Sequence, residues 1–591
     1  MVDMNTIKPK ALQRERCCQW MAKAAIAFAC LTFFVFATGC RTAHLAPPPR
    51  VISETNWPSI TNFPDVAEYP IVDIHSHTFN ARYLPIENIA LARRYDTLPL
   101  GLGYLFPDKW VVHLARAIVK RTNLSAANDT PALEATLSNP TDSDRKDSDP
   151  KDVQQAAAVE KEIIAVKVSR EKAIAPDIRP TAGADEEAAA APIQGIPRKP
   201  TDKKLNKAAA RLFKAEQVGK ASGKPKAIDT PESSLWRFIY ILTSGENRIR
   251  RLLVEQEFPE VDLFVHHMMD LGPVYGQSPK GNRFMDFPTN QLPRSEFFDG
   301  KSDGKFLRFV AFSPYRATNS FEEAWQPIER ALTNGAWGVK IYPPSGYRPI
   351  GNDIPRKPWC SSILREQWDS RYARMTDDKL DAIMLQFFER CLEKDIPIFA
   401  HCSYGEFQAA KGYGPRDANP KYWLRLFKKH PHLRNLRLCL AHAGGSDYWI
   451  GFGDFMGWGA DILTLCTNYP NVYCEFGAMD GILGKENEQL NSVYFANRML
   501  DCIRKSDGRF ARKVMYGSDW FMPMAAEPRT NYLNAYREAF LTPELRDHYK
   551  DFFCRNALNY LQLSQQRVEN DNSLSPAAKA RLRDLLGKAQ R

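Results

Sequence analysis

The chain of 591 residues lacks the glycine-rich signatures of nucleotide binding, since it contains neither a phosphate-cradling P-loop nor a dinucleotide fingerprint. It also lacks any stripe of lysine and arginine interleaved with aromatic residues, although its formal net charge is +11. That absence argues against nucleic acid as a partner. The 12 cysteines follow no spacing that indicates a disulfide framework or a zinc knuckle. The chemistry therefore has to come from polar side chains, with or without a metal ion.

Histidine is scarce, with 11 in the chain, yet two histidines flank one serine directly after the apolar run 69–74. Residues two apart on a β-strand point to the same side. We therefore expect His75 and His77 to project together from the C-terminal end of a strand, where they could hold one metal ion. The alternative is that both are ordinary histidines at a strand end.

The same pattern recurs three times downstream, where short apolar runs stop at His401, His442 and Asp519. Neutral imidazoles and a carboxylate are the ligands expected for zinc or a similar divalent ion. The recurrence favours a metal centre over scattered core histidines. Two alternatives stay open: Asp519 as the N-cap of a helix, and His442 as a buried histidine satisfied by the backbone.

The apolar runs alternate with helical patterns along the chain, which predicts a parallel sheet with helices outside it. Eight strand–helix units is the number that closes a (β/α)8 TIM barrel, whose catalytic groups come from the C-terminal ends of several strands. The candidate ligands follow the first, fifth, sixth and eighth predicted strands. These strands are residues 71–74, 261–265, 306–312, 337–342, 396–400, 436–441, 472–476 and 514–517.

Five segments together resemble a known family: Asp-Ile-His-Ser-His at 73–77, Gly-Val-Lys-Ile-Tyr-Pro-Pro at 338–344, His401, Leu-Ala-His-Ala-Gly-Gly at 440–445 and Tyr-Gly-Ser-Asp-Trp at 516–520. The chain resembles the amidohydrolase superfamily, most closely the branch of amidohydrolase-related proteins and aminocarboxymuconate-semialdehyde decarboxylases. The resemblance extends over roughly residues 69–563 and is interrupted by one insertion.

The resemblance implies one catalytic divalent ion, with zinc favoured, held by His75, His77, His401 and Asp519. In that branch the ion lowers the pKa of a water molecule, and Asp519 would accept the proton of that water and pass it to the leaving group. His442 would polarise the substrate carbonyl or shuttle protons.

Lys340 has two interpretations. Some superfamily members carry a carboxylated lysine that bridges two metal ions, and the Lys-Ile-Tyr-Pro sequence at 340–343 resembles that version. We favour one metal ion, with Lys340 binding a substrate anion or serving a structural role.

The N-terminus predicts export. Five basic residues between positions 8 and 23 precede an apolar run at 24–38, and the segment closes with Ala-Thr-Gly-Cys at 37–40. The run is shorter than the about 20 residues that a membrane span needs, so it is typical of an export signal. The ending resembles a bacterial lipobox and predicts lipidation of Cys40, with anchoring in the outer membrane. The alternative is an uncleaved signal anchor in the inner membrane.

Composition divides the rest of the chain. We expect a linker at 41–68, the start of the barrel at 69–124, the remainder of the barrel at 231–565 and a basic C-terminal tail at 566–591. Residues 125–230 are rich in Ala, Asp, Lys and Pro with few aromatic residues, so we expect a large, mostly disordered insertion between the first and second strands.

Three functions follow from these features. The first is a metal-dependent hydrolase that attacks an amide, lactone or ester bond of a small-molecule substrate. The second is a non-oxidative decarboxylase of an aromatic or unsaturated carboxylic acid, and the third is a non-catalytic surface lipoprotein. The predicted export of the chain favours hydrolysis over decarboxylation. The presence of all four expected metal ligands and of His442 disfavours a non-catalytic protein. Homo-oligomerisation is left open.

Overall fold

A computed structural model describes two stretches of the chain, residues 51–84 and 240–591, together with the single residues Val119, Thr122 and Ser125. The gaps within these stretches are residues 55–56, 60–62, 64–67, 276–286, 354–374, 405–407, 409–412, 452–453, 455–456, 487–488 and 521–528. The predicted export segment with Cys40 lies outside the described residues, as does the predicted insertion apart from Ser125. Among the helices in the described part of the chain, none has the length and apolar character that a membrane crossing requires.

Eight parallel strands in the described residues follow one another around a sheet in sequence order. The backbone N–H of Ile74 donates to the carbonyl of Tyr516, and Ser76 pairs with Trp520, so the eighth strand returns to the first. The predicted (β/α)8 barrel is confirmed. Its strands are β1 (Val72–Ser76), β2 (Leu263–His267), β3 (Phe306–Phe312), β4 (Ala336–Ile341), β5 (Ile398–His401), β6 (Leu438–Ala441), β7 (Val472–Glu475) and β8 (Val514–Met515).

Helices alternate with the strands and cover the outside of the barrel. The helix after β3 shows why: its buried positions Phe321, Ala324, Trp325 and Ile328 recur at helical spacing and form one apolar face. The helices are α1 (Glu246–Leu252), α2 (Leu292–Gly300), α3 (Phe321–Thr333), α4 (Asp377–Glu393), α5 (Lys421–Lys429), α6 (Trp458–Asn468), α7 (Asn491–Lys505), α8 (Arg529–Leu541), α9 (Asn556–Leu561), α10 (Gln565–Asn570) and α11 (Pro576–Gln590), with short turns at Gly272–Tyr275 and Tyr413–Asp417.

Aromatic rings fill the interior of the barrel. Phe309 on β3 occupies the space beside Gly338 on β4, where a Cβ atom would overlap its ring. Phe399 on β5 packs against His267 on β2, with ring centroids 3.9 Å apart. This filled interior supports the strand ends from below, so the polar residues there are presented at one face.

The C-terminal segment 564–591 forms two capped helices. Ser564 accepts a hydrogen bond from the backbone N–H of Arg567 and begins α10, and Ser575 accepts one from Ala578 and begins α11. The apolar residues of α11 are buried, and the carbonyl of Ala589 accepts a hydrogen bond from the hydroxyl of Tyr69 just before β1. Residues 566–591, which the sequence analysis describes only as a basic tail, therefore pack against the segment that leads into β1.

Candidate metal centre

Three predicted ligands meet at the C-terminal face of the barrel. His75 and His77 project from the end of β1, and Asp519 follows β8. The Nε2 atom of His75 lies 3.2 Å from Oδ1 of Asp519, and the Nε2 atom of His77 lies 3.0 Å from the same oxygen. All three side chains are buried. The prediction that β1 and the end of β8 place these residues together agrees with this geometry.

Hydrogen bonds on the far side of each ring set the orientation of both histidines. The Nδ1–H of His75 donates to Oε1 of Glu475 at 2.8 Å, and the Nδ1–H of His77 donates to the carbonyl of His267 at 2.9 Å. These assignments leave a lone pair on each Nε2 atom, directed at the carboxylate of Asp519. Two lone pairs and a carboxylate oxygen repel one another unless a cation lies between them.

The donor set fits a divalent cation. The ligand atoms of His75, His77 and Asp519 lie within 4.8 Å of one another, and the buried Nε2 atom of His75 makes no hydrogen bond to any residue that the structure describes. Two imidazole nitrogens and one carboxylate oxygen are typical donors for zinc and similar ions in catalytic sites. The residues present would hold such an ion through the two Nε2 atoms and the Asp519 carboxylate.

The other two predicted histidines form a pair beside this group. The Nδ1–H of His442 donates to the carbonyl of Gly477 at 3.0 Å, so its Nε2 atom accepts from Nδ1 of His401 at 3.1 Å. Nε2 of His401 then accepts from the hydroxyl of Ser403 at 3.1 Å. Among the described residues, His401 does not belong to either group of ligand atoms within 4.8 Å, whereas His442 groups with His75 and Glu475.

The histidines of the site are held neutral. Burial, reinforced by the positive charge of Lys340, lowers the pKa of His77 and of His442 to about 3. The same causes lower the pKa values of His75 and His401 well below the usual range for histidine. A histidine must be neutral to bind a metal ion through nitrogen, so the site offers its ligands in the required form across the physiological pH range.

Lys340 lies in β4 and is 2 % exposed. Its Nζ atom is 4.4 Å from the centroid of the Phe399 ring, and its charge acts on the histidines of the site. Lys340 therefore points into the barrel, toward Phe399.

The loops at the strand ends adopt backbone conformations that non-glycine residues rarely occupy. Asp519 has φ of 52° and His442 has φ of 61°. The backbone N–H of Asp519 donates to the carbonyl of His75 at 2.7 Å, which ties the carboxylate to the end of β1. A Cβ atom at Gly517 would overlap Glu475 and crowd His75. Strained residues of this kind persist where the surroundings force them, which is common at functional sites.

Two residues of the site were missed by the sequence analysis. Glu475 ends β7 and accepts hydrogen bonds from His75, from the backbone N–H of His442 at 2.8 Å and from that of Gly477 at 2.5 Å. Burial raises the pKa of Glu475 to about 8. His267 ends β2 and donates from Nε2 to the carbonyl of Ile74 at 2.8 Å. Neither residue carries the signal that identified the other ligands, because apolar Phe476 follows Glu475 and His266 precedes His267.

Comparison with known proteins supports the resemblance. A family model described as amidohydrolase matches residues 303–561. No curated protein shows detectable similarity to this chain.

Solved structures with remote similarity include both hydrolases and a decarboxylase. A probable 2-pyrone-4,6-dicarboxylic acid hydrolase from Acinetobacter baumannii with bound citric acid is 11 % identical to this chain. The match covers 58 % of this chain and 95 % of the hydrolase chain, with a TM-score of 0.31. A 5-carboxyvanillate decarboxylase mutant from Novosphingobium aromaticivorans with bound manganese is 14 % identical, covering 60 % and 93 %, with a TM-score of 0.35. A zinc-bound amidohydrolase from Burkholderia multivorans is 10 % identical, covering 55 % and 91 %, with a TM-score of 0.33. Similarity this remote carries no argument about the reaction.

Proposed function

We propose that the chain is a metal-dependent hydrolase of a C–N or C–O bond in a small substrate, and the premise is that residues 303–561 match a family model described as amidohydrolase. The observation that carries the proposal is the convergence of Nε2 of His75 and Nε2 of His77 on Oδ1 of Asp519, at 3.2 and 3.0 Å. The site lies at the face where barrels of this type place their catalytic groups.

A divalent ion held by these residues would supply Lewis acidity, which would lower the pKa of a water molecule and polarise a carbonyl. Asp519 takes the proton of the attacking water and returns it to the leaving group, because its carboxylate faces the ligand nitrogens at the end of β1. Its backbone hydrogen bond to His75 keeps that carboxylate in place while the proton moves.

His442 serves the second proton path. Its Nδ1–H is used by the carbonyl of Gly477, so only Nε2 is available for proton exchange. That nitrogen is an acceptor next to Nδ1 of His401 at 3.1 Å. A neutral ring that presents a lone pair favours proton shuttling over polarisation of a carbonyl oxygen, which needs a donor. Of the two roles that the resemblance implies, we therefore assign shuttling to His442.

Decarboxylation is the second candidate reaction, and product analysis separates it from hydrolysis. The zinc-loaded protein is assayed with lactones, amides, esters and aromatic carboxylates in water enriched in oxygen-18. Hydrolysis places the heavy oxygen in the organic product, whereas decarboxylation releases carbon dioxide and leaves the organic product without heavy oxygen. Absence of turnover with every class in a protein of verified metal content would favour the non-catalytic alternative.

We propose further that the chain is exported and anchored through a lipid on Cys40. The support is the sequence alone: basic residues, a short apolar run and the Ala-Thr-Gly-Cys ending at 37–40. Lipidation there would tether the barrel to a membrane from the side of its N-terminal linker.

A further inference from the structure

A groove of about 760 Å³ lies between the start of β4 and α10. Trp337, the second residue of β4, and Arg567, in α10, line it together with Asp571, which directly follows α10. The proposed metal ligands follow the C-terminal ends of their strands, so the groove lies at the other end of the barrel. Its volume falls within the range of about 300–1,000 Å³ that is typical of sites for small molecules.

Arg567 brings a positive charge to this groove without a matching carboxylate. The central carbon of its guanidinium lies 4.2 Å from the centroid of the Trp337 ring, and Nη1 donates to the carbonyl of Leu561 at 2.7 Å. Among the residues that the structure describes, the side chain of Arg567 makes no other hydrogen bond and no ion pair. Burial lowers the pKa of Arg567, but an arginine keeps its charge at physiological pH. Nε and Nη2 therefore remain as donors for a ligand.

Two further groups of the groove wall are incompletely satisfied. Trp337 is 2 % exposed, and its indole N–H is buried and finds no acceptor in the described part of the chain. A buried donor without a partner costs free energy and calls for a ligand or an ordered water. Asp571 uses Oδ1 to accept the backbone N–H and the hydroxyl of Ser573, at 2.8 and 2.5 Å, which leaves Oδ2 as an acceptor.

The charges around the groove balance. Arg567 contributes one positive charge and Asp571 one negative charge, and within the described residues the two side chains form no ion pair with each other. The neighbouring charges of Arg437 and Asp395 cancel, because the guanidinium binds the carboxylate at 3.0 Å. Separate charges of opposite sign on one wall match a ligand that itself carries both charges.

We propose that this groove binds a small zwitterion, an aliphatic amino acid with a free carboxylate and a free ammonium group. Its carboxylate would accept from Arg567 and from the indole N–H of Trp337, and its ammonium group would donate to Oδ2 of Asp571. The aliphatic side chain would pack on the apolar part of the wall, which includes Leu558 and Leu563. The site is independent of the proposed reaction, because it shares no residue with the metal centre.

Calorimetric titration of the full chain with compounds that share one carbon skeleton tests the site. The probes are L-leucine, 4-methylpentanoate, which lacks the ammonium group, and 3-methylbutylamine, which lacks the carboxylate. We expect leucine to bind and each of the other two to bind at least about tenfold more weakly, the scale of losing one charge-assisted hydrogen bond. Arg567→Gln and Asp571→Asn should each weaken leucine binding by about tenfold or more for the same reason. Asp571→Asn is expected to fold, because its amide oxygen still accepts from Ser573.

Two control variants come from exposed ion pairs of α11 that do not line the groove. Arg583→Gln separates an arginine from Glu569, and Asp584→Asn separates an aspartate from Lys588. Both should bind leucine as the wild type does. Equal affinity for leucine and 4-methylpentanoate would make the groove a site for anions, and equal affinity for leucine and 3-methylbutylamine a site for cations, and either result overturns the proposal. Absence of leucine binding, or wild-type affinity in both Arg567→Gln and Asp571→Asn, overturns it as well.

Discussion

Glu475 accepts a hydrogen bond from Nδ1 of His75 at 2.8 Å, which joins the end of β7 to the end of β1 across the mouth of the barrel. The same carboxylate accepts the backbone N–H groups of His442 and Gly477. One buried side chain thereby fixes the ring orientation of His75, a proposed metal ligand, and the loop that carries His442. Partners of this kind orient metal ligands and increase their basicity.

Glu475→Gln should weaken metal binding by about 10- to 100-fold, the range typical of losing a partner of a ligating histidine. The amide still fills the space, but it has one acceptor oxygen where the carboxylate has two, so it cannot accept from both Nδ1 of His75 and the backbone N–H of Gly477. Competition with a chromogenic chelator measures the dissociation constant of zinc. Glu393→Gln, a change at the exposed end of α4, is the matched control. Unchanged zinc affinity in Glu475→Gln would show that the carboxylate does not support the ligand.

The metal site itself predicts about one equivalent of a divalent ion, most readily zinc. His75→Ala removes one of three converging ligand atoms and should abolish stoichiometric binding, whereas His432→Ala, on an exposed histidine near Glu389, should retain the ion. Elemental analysis of the purified proteins decides between these outcomes. Equal metal content in wild type and His75→Ala would contradict the site, and two equivalents in the wild type would favour the two-metal alternative with Lys340.

Sequence patterns were sufficient to find the barrel and most of its strand-end residues, because a buried parallel strand is apolar throughout and its first polar residue stands out. The two omissions have a physical cause. The second strand was predicted to end at 265, but pairing with β3 extends it to His267. The seventh was predicted to run through Phe476, which placed Glu475 inside the strand instead of at its end. Strand ends are set by neighbours in the barrel and by turns, which the local sequence does not contain.

His401 illustrates the other limit of sequence reasoning. Its place at the end of β5 was predicted, and the structure puts it next to His442, but the ligand-atom group of His75, His77 and Asp519 does not include it. Ring orientation is decided by hydrogen bonds to His442 and to Ser403, and neither contact follows from strand periodicity. The role of His401 as a fourth ligand therefore stays a prediction.

Removal of the two proton-transfer groups should affect metal binding differently, because Asp519 is also a proposed ligand whereas His442 lies outside the group of His75, His77 and Asp519. Asp519→Asn should reduce turnover by about 100-fold or more, because an amide cannot accept the proton of the attacking water. His442→Ala should cause a loss of similar size, about 100-fold, while the ion remains bound, since Nε2 of His442 faces His401 and not the group around Asp519 Oδ1. Kinetics and zinc content are measured on the same samples. Full turnover in both variants would leave these residues only structural roles.

A buried ion cluster on the flank of the barrel predicts a pH-dependent contribution to stability. Asp299 on α2 contacts Arg250 at 2.8 Å, Arg308 at 2.6 Å and His266 at 2.9 Å. Burial alone would raise the pKa of Asp299, but His266 and the two arginines outweigh it and lower that pKa well below its usual range. A carboxyl group with a lowered folded-state pKa stabilises the protein above its unfolded pKa of about 4, and this contribution is lost as the pH falls further.

Asp299→Asn should therefore lower the free energy of unfolding at pH 7 by about 3–5 kcal/mol, because two arginines remain buried without their carboxylate. Urea unfolding between pH 7 and pH 3 measures the loss, and the difference between variant and wild type should shrink toward the acidic end. The control is Asp395→Asn, whose half-exposed carboxylate pairs with Arg437 and should contribute about 1 kcal/mol or less. A difference that is small at pH 7, or that grows as the pH falls, would contradict this account of the cluster.

The last prediction concerns Cys40, the proposed lipidation site, and the compartment in which the barrel works. If Cys40 is lipidated after cleavage of the preceding residues, the mature chain begins at this cysteine and fractionates with membranes, so Cys40→Ser should release it or leave it unprocessed. Cys30→Ser, a change within the apolar run of the same segment, should be processed as the wild type is. Mass spectrometry of the membrane fraction identifies the N-terminus and any lipid on it.

An intact Met1 terminus on membrane-bound protein would replace the lipid anchor by an uncleaved signal anchor, because basic residues followed by an apolar run can hold a chain in the inner membrane without cleavage. Either attachment would place the metal centre outside the cytoplasm, which favours a substrate taken from the cell's surroundings and hydrolysed there.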